Sequence, residues 1–263
     1  MENITSTIDE FLPLVVVTCL VLFMLIEVWL PYFQTSAYRK TQRWHNLGNV
    51  VIAFIFNALL GGLVAWFITE SSRLHFGLLY HLPLPAWAAF LAGILLSDLN
   101  AYVMHRIYHK VPLLWRFHTI HHSDIELDAS TGLRIHPVEF LIQTASQAIV
   151  LPLLGVSLAS FVVYALFLVT MAIINHANVK FPDWYEKYVG LIFVTPNFHR
   201  VHHSSYQPET DSNFAEVFSF WDPLFGTKTN KKPEELTYGL EIMREKESQT
   251  FWGMLKAPFG SLK

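Results

Sequence analysis

Cysteine and charged residues are both scarce in this sequence of 263 residues. Its single cysteine, Cys19, lies inside an apolar run, so neither a disulfide framework nor a thiolate metal site can form within one chain. Any bound metal must therefore be held by nitrogen or oxygen. Charged residues make up only 15% of the chain, the formal net charge is -3, and there is no dense tract of lysine and arginine. Binding to nucleic acid is therefore not expected.

Apolar residues, by contrast, are abundant. They make up 52% of the chain, and the mean hydropathy is +0.34, which is too apolar for an ordinary soluble domain. Residues 11–33, 47–69 and 84–104 are mostly apolar, and each stretch exceeds the roughly 20 helical residues needed to cross the hydrocarbon core of a membrane. The sequence therefore predicts an all-α integral membrane protein with three spanning helices.

Two shorter apolar segments, residues 138–154 and 157–174, follow the third span. A turn containing Gly155 separates them, so we predict a two-helix hairpin that returns the chain to the side it left. The predicted loop between the first two spans carries Arg39, Lys40 and Arg43, and this positive charge indicates that the loop is cytoplasmic. Three crossings then place the polar segments after the third span and after the hairpin in a cytosolic cap.

Three clusters of histidines occur in these polar segments. The first reads H-x-x-x-H and the other two read H-x-x-H-H, so the members of a cluster are mostly three or four residues apart and share one face of a helix. Crowded imidazoles have an electrostatic cost that a metal ion relieves, because neutral imidazole is a ligand. We interpret the clusters as metal ligands: His105 and His109, then His118, His121 and His122, then His199, His202 and His203.

The number of histidines indicates two metal ions, because eight imidazoles exceed the positions around one ion. Zinc hydrolases usually place a carboxylate base beside their ligands, as in H-E-x-x-H, and these clusters contain none. A redox-active pair beside lipid suits oxygen activation, which favours iron. The alternatives are a zinc-dependent membrane hydrolase and a non-enzymatic metal-binding membrane protein, although a carrier would need ligands spread through its spans.

The clusters belong to a longer pattern. The segments HRIYHKVPLLWRFHTIHHS, STGLRIHPVEF, NHANV, TPNFHRVHHS and SNFAEVFSFWDPLFGTK resemble, in order and spacing, the fatty acid hydroxylase/sterol desaturase superfamily of membrane di-iron oxygenases. The resemblance covers residues 91–228. It implies a helical membrane part under a cytosolic cap, and O2-dependent hydroxylation or desaturation of a lipid-soluble substrate such as a fatty acyl chain, a sterol or an ether lipid.

The resemblance also implies the cofactors, partners and ligands. Two iron ions and O2 are implied, and overexpression can load zinc in their place. The His-Pro-Gly-Gly haem segment of relatives with a fused cytochrome b5 domain does not occur here, so a separate electron donor such as cytochrome b5 or a ferredoxin is implied. The implied ligands are His105, His109, His118, His121, His122, His176, His199, His202 and His203.

Three further residues could support these ligands. His136 could donate a hydrogen bond to a metal ligand or be an additional ligand itself, or it could start the helix that follows it. Asp98 could accept a hydrogen bond that orients the ring of His105. Asn178 follows His176 where some relatives have another histidine, so a tenth ligand position is open, filled by water or served by another group.

Glu139, Gln143 and Gln147 repeat every four residues along the first helix of the hairpin. Such a polar stripe should face the protein interior rather than lipid, where it would line a substrate path or pair helices. The sequence as a whole divides into N-terminal membrane helices, a catalytic domain and a C-terminal cytosolic tail, at residues 1–83, 84–228 and 229–263.

Overall fold

A computed structural model describes residues 2–34 and 36–261, the first eleven of them by backbone alone. This part of the chain is helical and contains no strand, which confirms the all-α prediction. The helices are α1 (Glu2–Trp29), α2 (Ala37–Arg73), α3 (Ala86–Lys110), α4 (Pro112–His122), α5 (Pro137–Leu154), α6 (Leu158–His176), α7 (Asp183–Tyr188), α8 (Pro196–His202), α9 (Gln207–Thr210), α10 (Trp221–Phe225) and α11 (Phe251–Lys256).

Four of these helices are long and apolar enough to cross a membrane, judged by length and composition. They are α2 with the turn after it, α3, α5 and α6, and they contain the second and third predicted spans and both hairpin segments. The first predicted span, residues 11–33, begins in α1. The described apolar part of α1, Pro13–Trp29, is shorter than the other four, and the side chains of residues 11 and 12 lie outside the described part.

The predicted hairpin is confirmed, and its turn has a clear local cause. Gly155 ends α5 in the left-handed conformation with φ of 74°, which glycine adopts without steric cost. Ser157 then caps α6, because its side chain accepts a hydrogen bond from the backbone N–H of Ser160. The two helices therefore run antiparallel, and α6 ends beside the cap with His176 as its last residue.

Helix α2 extends well beyond the predicted span. Its 37 residues make it about 55 Å long, whereas the hydrocarbon core is about 30 Å thick. The expectation that Arg39, Lys40 and Arg43 lie in a loop is wrong, because all three lie in the first turns of this helix. Arg43 is held there by ion pairs with Glu27 of α1 and with Asp128, whose Oδ2 lies 2.7 Å from its Nε. The start of α2 therefore packs against the polar segment that follows α4, which belongs to the part of the protein that we call the cap: the polar segments after α3 and after α6.

A buried arginine ties the cap together. The Arg134 guanidinium is fully buried and donates to the Ile120 carbonyl at 2.7 Å, to Ser123 Oγ at 2.6 Å and to Gln249 Oε1 at 2.7 Å. Asp124 lies 3.5 Å from the same group and supplies the opposite charge that a buried guanidinium needs. These bonds join the end of α4 to the C-terminal segment, and so they fix the helix that carries three of the histidines.

Candidate metal centre

All nine histidines implied by the sequence are buried at one end of the helical bundle, each at most 9% exposed. The last turns of α3 and α6 and the short helices α4 and α8, with the residue after α8, supply them. Pro112 and Pro196 occupy the first position of α4 and α8, where the fixed φ of proline favours the start of a helix. Four chain segments, of which only α3 and α4 are adjacent in sequence, thus present imidazoles to one region.

The nine side chains form two groups, in each of which one nitrogen atom per ring lies within 4.8 Å of the others. We call these the five-histidine group and the four-histidine group. The first consists of His105, His109, His118, His122 and His202, and the second of His121, His176, His199 and His203.

Both H-x-x-H-H clusters are divided between the two groups, although the sequence predicted one shared face for each. His118 and His122, four residues apart, stay together, whereas His121 joins the four-histidine group. The last cluster divides in the same way, with His202 joining the five-histidine group. Successive residues on a helix are rotated by about 100°, so two adjacent histidines point in different directions. One short helix can therefore serve two metal ions.

The Nε2 atoms converge within each group. In the four-histidine group, Nε2 of His176 lies 2.8 Å, 3.0 Å and 3.2 Å from the Nε2 atoms of His203, His199 and His121. In the five-histidine group, two such pairs lie 2.8 and 3.1 Å apart. Nitrogens about 2.1 Å from one ion would be about 3.0 Å apart in octahedral and about 3.4 Å apart in tetrahedral geometry. Both groups therefore fit a metal ion.

Five of the rings are oriented through their other nitrogen, Nδ1. A hydrogen bond donated by Nδ1–H fixes the tautomer whose Nε2 lone pair is free to bind a metal. The acceptors are Glu139 Oε1 for His118 at 2.8 Å, Asp211 Oδ1 for His109 at 3.2 Å, and the carbonyls of Phe214 for His105 at 2.8 Å, of Ala172 for His176 at 2.6 Å and of Ser212 for His202 at 2.7 Å.

The other four rings have Nδ1 atoms that are buried and have no hydrogen-bond partner in the described residues: those of His121, His122, His199 and His203. Burial, reinforced by the neighbouring imidazoles, holds the pKa of each of these four side chains well below the usual range of histidine. All four are therefore neutral near pH 7, and neutral imidazole is the form that binds a metal.

These lowered pKa values predict how the metal-free protein responds to pH. Unfolding returns each imidazole to an ordinary pKa of about 6.5, so below that pH the unfolded state binds more protons than the folded state. The free energy of unfolding should therefore fall as the pH drops from about 7.5 to about 5.5. Thermal unfolding of chelator-treated protein in detergent measures this. A midpoint that stays constant or rises on acidification would contradict it.

A cavity of about 280 Å³ lies directly below the two groups, between the helices of the bundle. His105 and His118 of one group and His121 and His176 of the other line its inner end. Its walls come from α1, α2, α3, α5 and α6 and are mostly apolar. Both groups thus face one apolar cavity inside the part of the protein that is long enough to span a membrane.

The polar stripe of α5 lines this cavity, which confirms that it faces the interior. Glu139 is the member nearest the histidines and accepts the hydrogen bond from His118. Gln143 Oε1 accepts a hydrogen bond from the Tyr108 hydroxyl at 3.2 Å, and Gln147 lies one turn further along. The stripe therefore joins the histidine end of the cavity to its apolar walls.

Glu216 is a site residue that the sequence reasoning missed. Its carboxylate faces the cavity, and its Oε1 lies 3.0 Å from Nδ1 of His105. Asp211, which accepts from His109, was also missed. Both acidic residues lie more than 100 positions from the histidines they contact, so no local spacing pattern could reveal them. The only indication of these two residues in the sequence was that acidic residues follow the last histidine cluster.

Gly132 packs against the end of α6 that carries His176 of the four-histidine group. A Cβ atom at this position would lie 2.3 Å from the Ala172 carbonyl oxygen and 3.1 Å from Nδ1 of His176, the two atoms that are hydrogen-bonded to each other. We expect Gly132→Ala to displace the end of α6 and to weaken metal binding at least about tenfold, as loss of an orienting contact does.

A matched control is Gly62→Ala in α2, where a Cβ atom would meet nothing within 4 Å. Both variants would be purified in parallel, and metal retained during dialysis against a chelator would be measured by elemental analysis. Equal retention in the two variants would contradict the predicted role of Gly132.

Two of the weaker candidates lie outside both histidine groups. His136 caps α5, because its Nδ1 accepts a hydrogen bond from the backbone N–H of Val138 at 3.1 Å. Asn178 fixes the end of the segment after α1, since its side chain accepts from the Phe33 N–H at 2.8 Å and donates to the Phe33 carbonyl at 2.9 Å. The observed contacts of both side chains are those of fold-stabilising residues.

Asp98 does not contact His105 directly, although the sequence suggested that it could. Its Oδ2 accepts from Trp221 Nε1 at 2.8 Å and from the Phe218 N–H at 3.0 Å, and it makes no hydrogen bond to His105. Seven residues of helix separate the two side chains by about 10 Å, which is too far for direct contact. Asp98 instead holds the segment that follows Phe214, whose carbonyl orients the ring of His105.

Comparison with known proteins agrees with this geometry. The chain belongs to the fatty acid hydroxylase family, because the model of that family, described as "Fatty acid hydroxylase", matches residues 90–227, which is more than half of the chain. The resemblance stated from the histidine segments is thereby confirmed. The matched region contains all nine histidines, both groups and the Glu216 carboxylate.

Curated relatives are enzymes that oxidise lipids. The ornithine lipid hydroxylase OlsE of Rhizobium tropici is 33% identical over 168 residues, which cover 64% of this chain and 49% of that protein. The alkylglycerol monooxygenase of Homo sapiens is 32% identical over 66% of this chain and 37% of its own length. The sphingolipid C4-hydroxylase SUR2 of Saccharomyces cerevisiae is 27% identical over 75% of this chain and 62% of its own.

This chain thus matches about half or less of the length of the first two relatives. No solved structure matches it.

Proposed function

We propose that the protein is an O2-dependent membrane oxygenase in which the two histidine groups hold two iron ions and a lipid chain occupies the cavity below them. The observation that carries this proposal is the position of the two groups. Nine buried imidazoles converge on two points at the inner end of an apolar cavity, between helices of membrane-spanning length. Such a cavity suits a long apolar substrate held with its reacting carbon beside the metals.

Iron is favoured over zinc by two features of the site. Five imidazoles in one group exceed the four ligands of most zinc sites. The carboxylates near the histidines also contact Nδ1 atoms, so they orient rings rather than stand free as the general base of a hydrolase. When bound, a pair of iron ions supplies the capacity to activate O2 and oxidise an unactivated C–H bond.

The residues of this chain supply position, orientation and exclusion of water. Glu139 and Asp211 hold the rings of His118 and His109 through their Nδ1 atoms, and backbone carbonyls hold three others. The apolar walls of the cavity align the lipid chain and keep bulk water from the reacting carbon. The metals would thus carry out the oxidation, and the protein would determine which carbon atom of the lipid lies beside them.

The substrate is an amphipathic membrane lipid, and the reaction is hydroxylation. The names of the relatives give their substrates as ornithine lipids, alkylglycerols and sphingolipids, which share a long apolar chain and a polar head. In hydroxylation one oxygen atom of O2 enters the C–H bond and the other leaves as water. Two electrons and two protons are also needed, and a separate electron-carrier protein such as cytochrome b5 or a ferredoxin supplies the electrons.

Oxygen-18 labelling tests the proposal. Iron-loaded protein in nanodiscs would be given a reductant, a membrane-lipid extract and oxygen-18 gas, and the lipids would be analysed by mass spectrometry. The expected result is a lipid that has gained one oxygen-18 atom only when iron is bound. Hydrolysed lipid without the label, formed equally well by zinc-loaded protein, would instead identify a zinc hydrolase and overturn the proposal.

The histidine end of the protein is proposed to face the cytoplasm, because Arg39, Lys40 and Arg43 lie at that end of α2. Single cysteines introduced in a Cys19→Ser background would report the sidedness. Lys40→Cys should react with an impermeant thiol reagent only after the cells are opened, whereas Leu74→Cys, 64% exposed at the other end of α2, should react in intact cells. The reverse pattern would contradict the orientation. A reporter after Lys263, which lies outside the described residues, should also be cytoplasmic.

A further inference from the structure

Three aromatic side chains other than histidine pack against the five-histidine group. Phe214 contacts the rings of three of its members, and Tyr108 stacks on one. Phe214 is 1% exposed and Tyr108 is 4% exposed, so both are enclosed. The third, Trp115, is partly exposed. Of these three, Trp115 alone connects the imidazoles to the surface of the protein.

Trp115 lies in the first half of α4, on the same helical face as two of the histidines that follow it. The centroid of its ring is 4.7 Å from that of His109, 5.4 Å from that of His122 and 6.1 Å from that of His118. A single indole therefore contacts three of the five imidazoles. Each of those imidazoles is at most 9% exposed.

The path continues from the five-histidine group to the four-histidine group. The ring of His122 stacks on that of His203 with centroids 4.6 Å apart and an angle of 23° between the planes. Within the described residues, the four-histidine group has no aromatic neighbours except imidazoles. A contiguous series of aromatic rings thus runs from the surface through Trp115 to both candidate metal positions.

We propose that electrons enter the metal centre through Trp115, from a one-electron carrier protein that docks on the turn between α3 and α4. This inference rests on the proposed function, because only an oxygenase that consumes external electrons needs such a route. The carrier is oxidised by one electron at each encounter, and a metal ion is reduced by one. The indole is neither oxidised nor reduced; its π system shortens the gap that the electron must cross.

The surface around Trp115 suits a transient partner. Val111 and Leu113 are 40% and 64% exposed, and Lys110 is 60% exposed at the edge of this apolar patch. The Lys110 ammonium lies 2.9 Å from Asp211 Oδ2, and Asp211 Oδ1 lies 3.2 Å from Nδ1 of His109. A small contact of this kind is typical of electron-transfer complexes, which bury less surface than stable assemblies.

Light-driven electron injection tests the route without requiring the natural carrier. A ruthenium photosensitiser would be attached through Leu113→Cys in a Cys19→Ser background, and reduction of ferric, iron-loaded protein would be followed by absorbance after a flash. We expect Trp115→Leu to slow this reduction at least tenfold and Trp115→Phe, which keeps a smaller ring, to slow it less. Attachment through Trp87→Cys, 68% exposed in the first turn of α3 and about 27 Å along that helix from His105, should give a rate that does not depend on Trp115.

The reduction potential of each variant would be measured so that rates are compared at equal driving force. If Trp115→Leu loses iron, Trp115→Phe decides the outcome, with at least a threefold slower reduction expected. Rates within twofold of wild type for the metal-bound Trp115 variants would overturn the route.

Docking is tested with reduced cytochrome b5 and reduced ferredoxin. We expect Leu113→Asp to raise, at least threefold, the concentration of whichever carrier gives half-maximal reduction. The proposed docking surface is ruled out if the variant needs the same carrier concentration as wild type, or if neither carrier reduces the wild-type protein.

A single-turnover measurement separates this inference from the proposed function. Protein reduced exhaustively with dithionite and then mixed with O2 and lipid extract needs no electron route, so wild type and Trp115→Leu should form equal amounts of product per chain. If wild type forms no product while flash reduction still depends on Trp115, the proposed function fails and the electron route stands.

Discussion

Replacing His203 with alanine is expected to abolish lipid oxidation while leaving the helical bundle assembled. His203 is 1% exposed, and its Nε2 lies 2.8 Å from that of His176, so its loss removes one of four nitrogens around the second candidate metal position. His122→Ala should have the same effect at the first position, because His122 belongs to the five-histidine group. We expect either change to lower activity by at least about a hundredfold, more than the effect of losing a group that only orients a ligand.

The measurement is product formation from a lipid extract, with the amount of protein and its metal content recorded for each variant. His81→Ala is the control, since His81 is exposed in the turn after α2, away from both groups. It is a better control than His75, which has a φ of 49° and would place alanine in a strained conformation. Wild-type turnover and full metal content in His203→Ala would show that this histidine cluster is not catalytic.

Glu139→Ala is expected to have the next largest effect. The Glu139 carboxylate is buried, and its Oε1 lies 2.8 Å from Nδ1 of His118. Without it, the ring loses the partner that fixes its tautomer and its orientation, which typically weakens metal binding by about 10-fold to 100-fold. Glu139→Gln keeps an oxygen acceptor but loses the negative charge, so it should recover part of the affinity.

Competition with a coloured chelator would measure the metal affinity of both variants. Gln147→Leu is the matched control, because Gln147 lies two turns further along the same face of α5, lines the same cavity and contacts no histidine. It should bind metal as wild type does. Equal metal affinity in Glu139→Ala and Gln147→Leu would show that the carboxylate does not support His118.

Local sequence signals predicted the long helices well. The apolar runs in α2 and α3 gave the existence of these helices, and Gly155 and Ser157 account for the turn of the hairpin. The start of α2 was predicted as a loop because its first turns are rich in polar and charged residues. In the structure that polar surface is buried against the cap, where Asn46 donates to Asp124 Oδ2 and Ser130 Oγ, both at 3.1 Å. Tertiary contacts therefore determined the helical conformation of the first turns of α2.

The histidine clusters were predicted from spacing, but their division into two groups was not. Spacing along a helix predicts which side chains are neighbours on that helix, and it contains no information on what lies opposite them. His121 leaves its cluster because His176, 55 residues away, lies on its side of α4 with the two Nε2 atoms 3.2 Å apart. Asp211 and Glu216 were missed for the same reason, since their contacts depend on how the last segment folds over α3.

If the nine histidines hold two metal ions, the number of iron ions bound per chain reveals it. The protein would be produced in iron-rich medium, purified in detergent and analysed for metal and protein by independent methods, with Mössbauer spectroscopy to determine the environment of the iron. We expect two ions per chain, in two distinct nitrogen-rich sites that correspond to the five-histidine and four-histidine groups. One ion or fewer per chain in folded, iron-replete protein would contradict it.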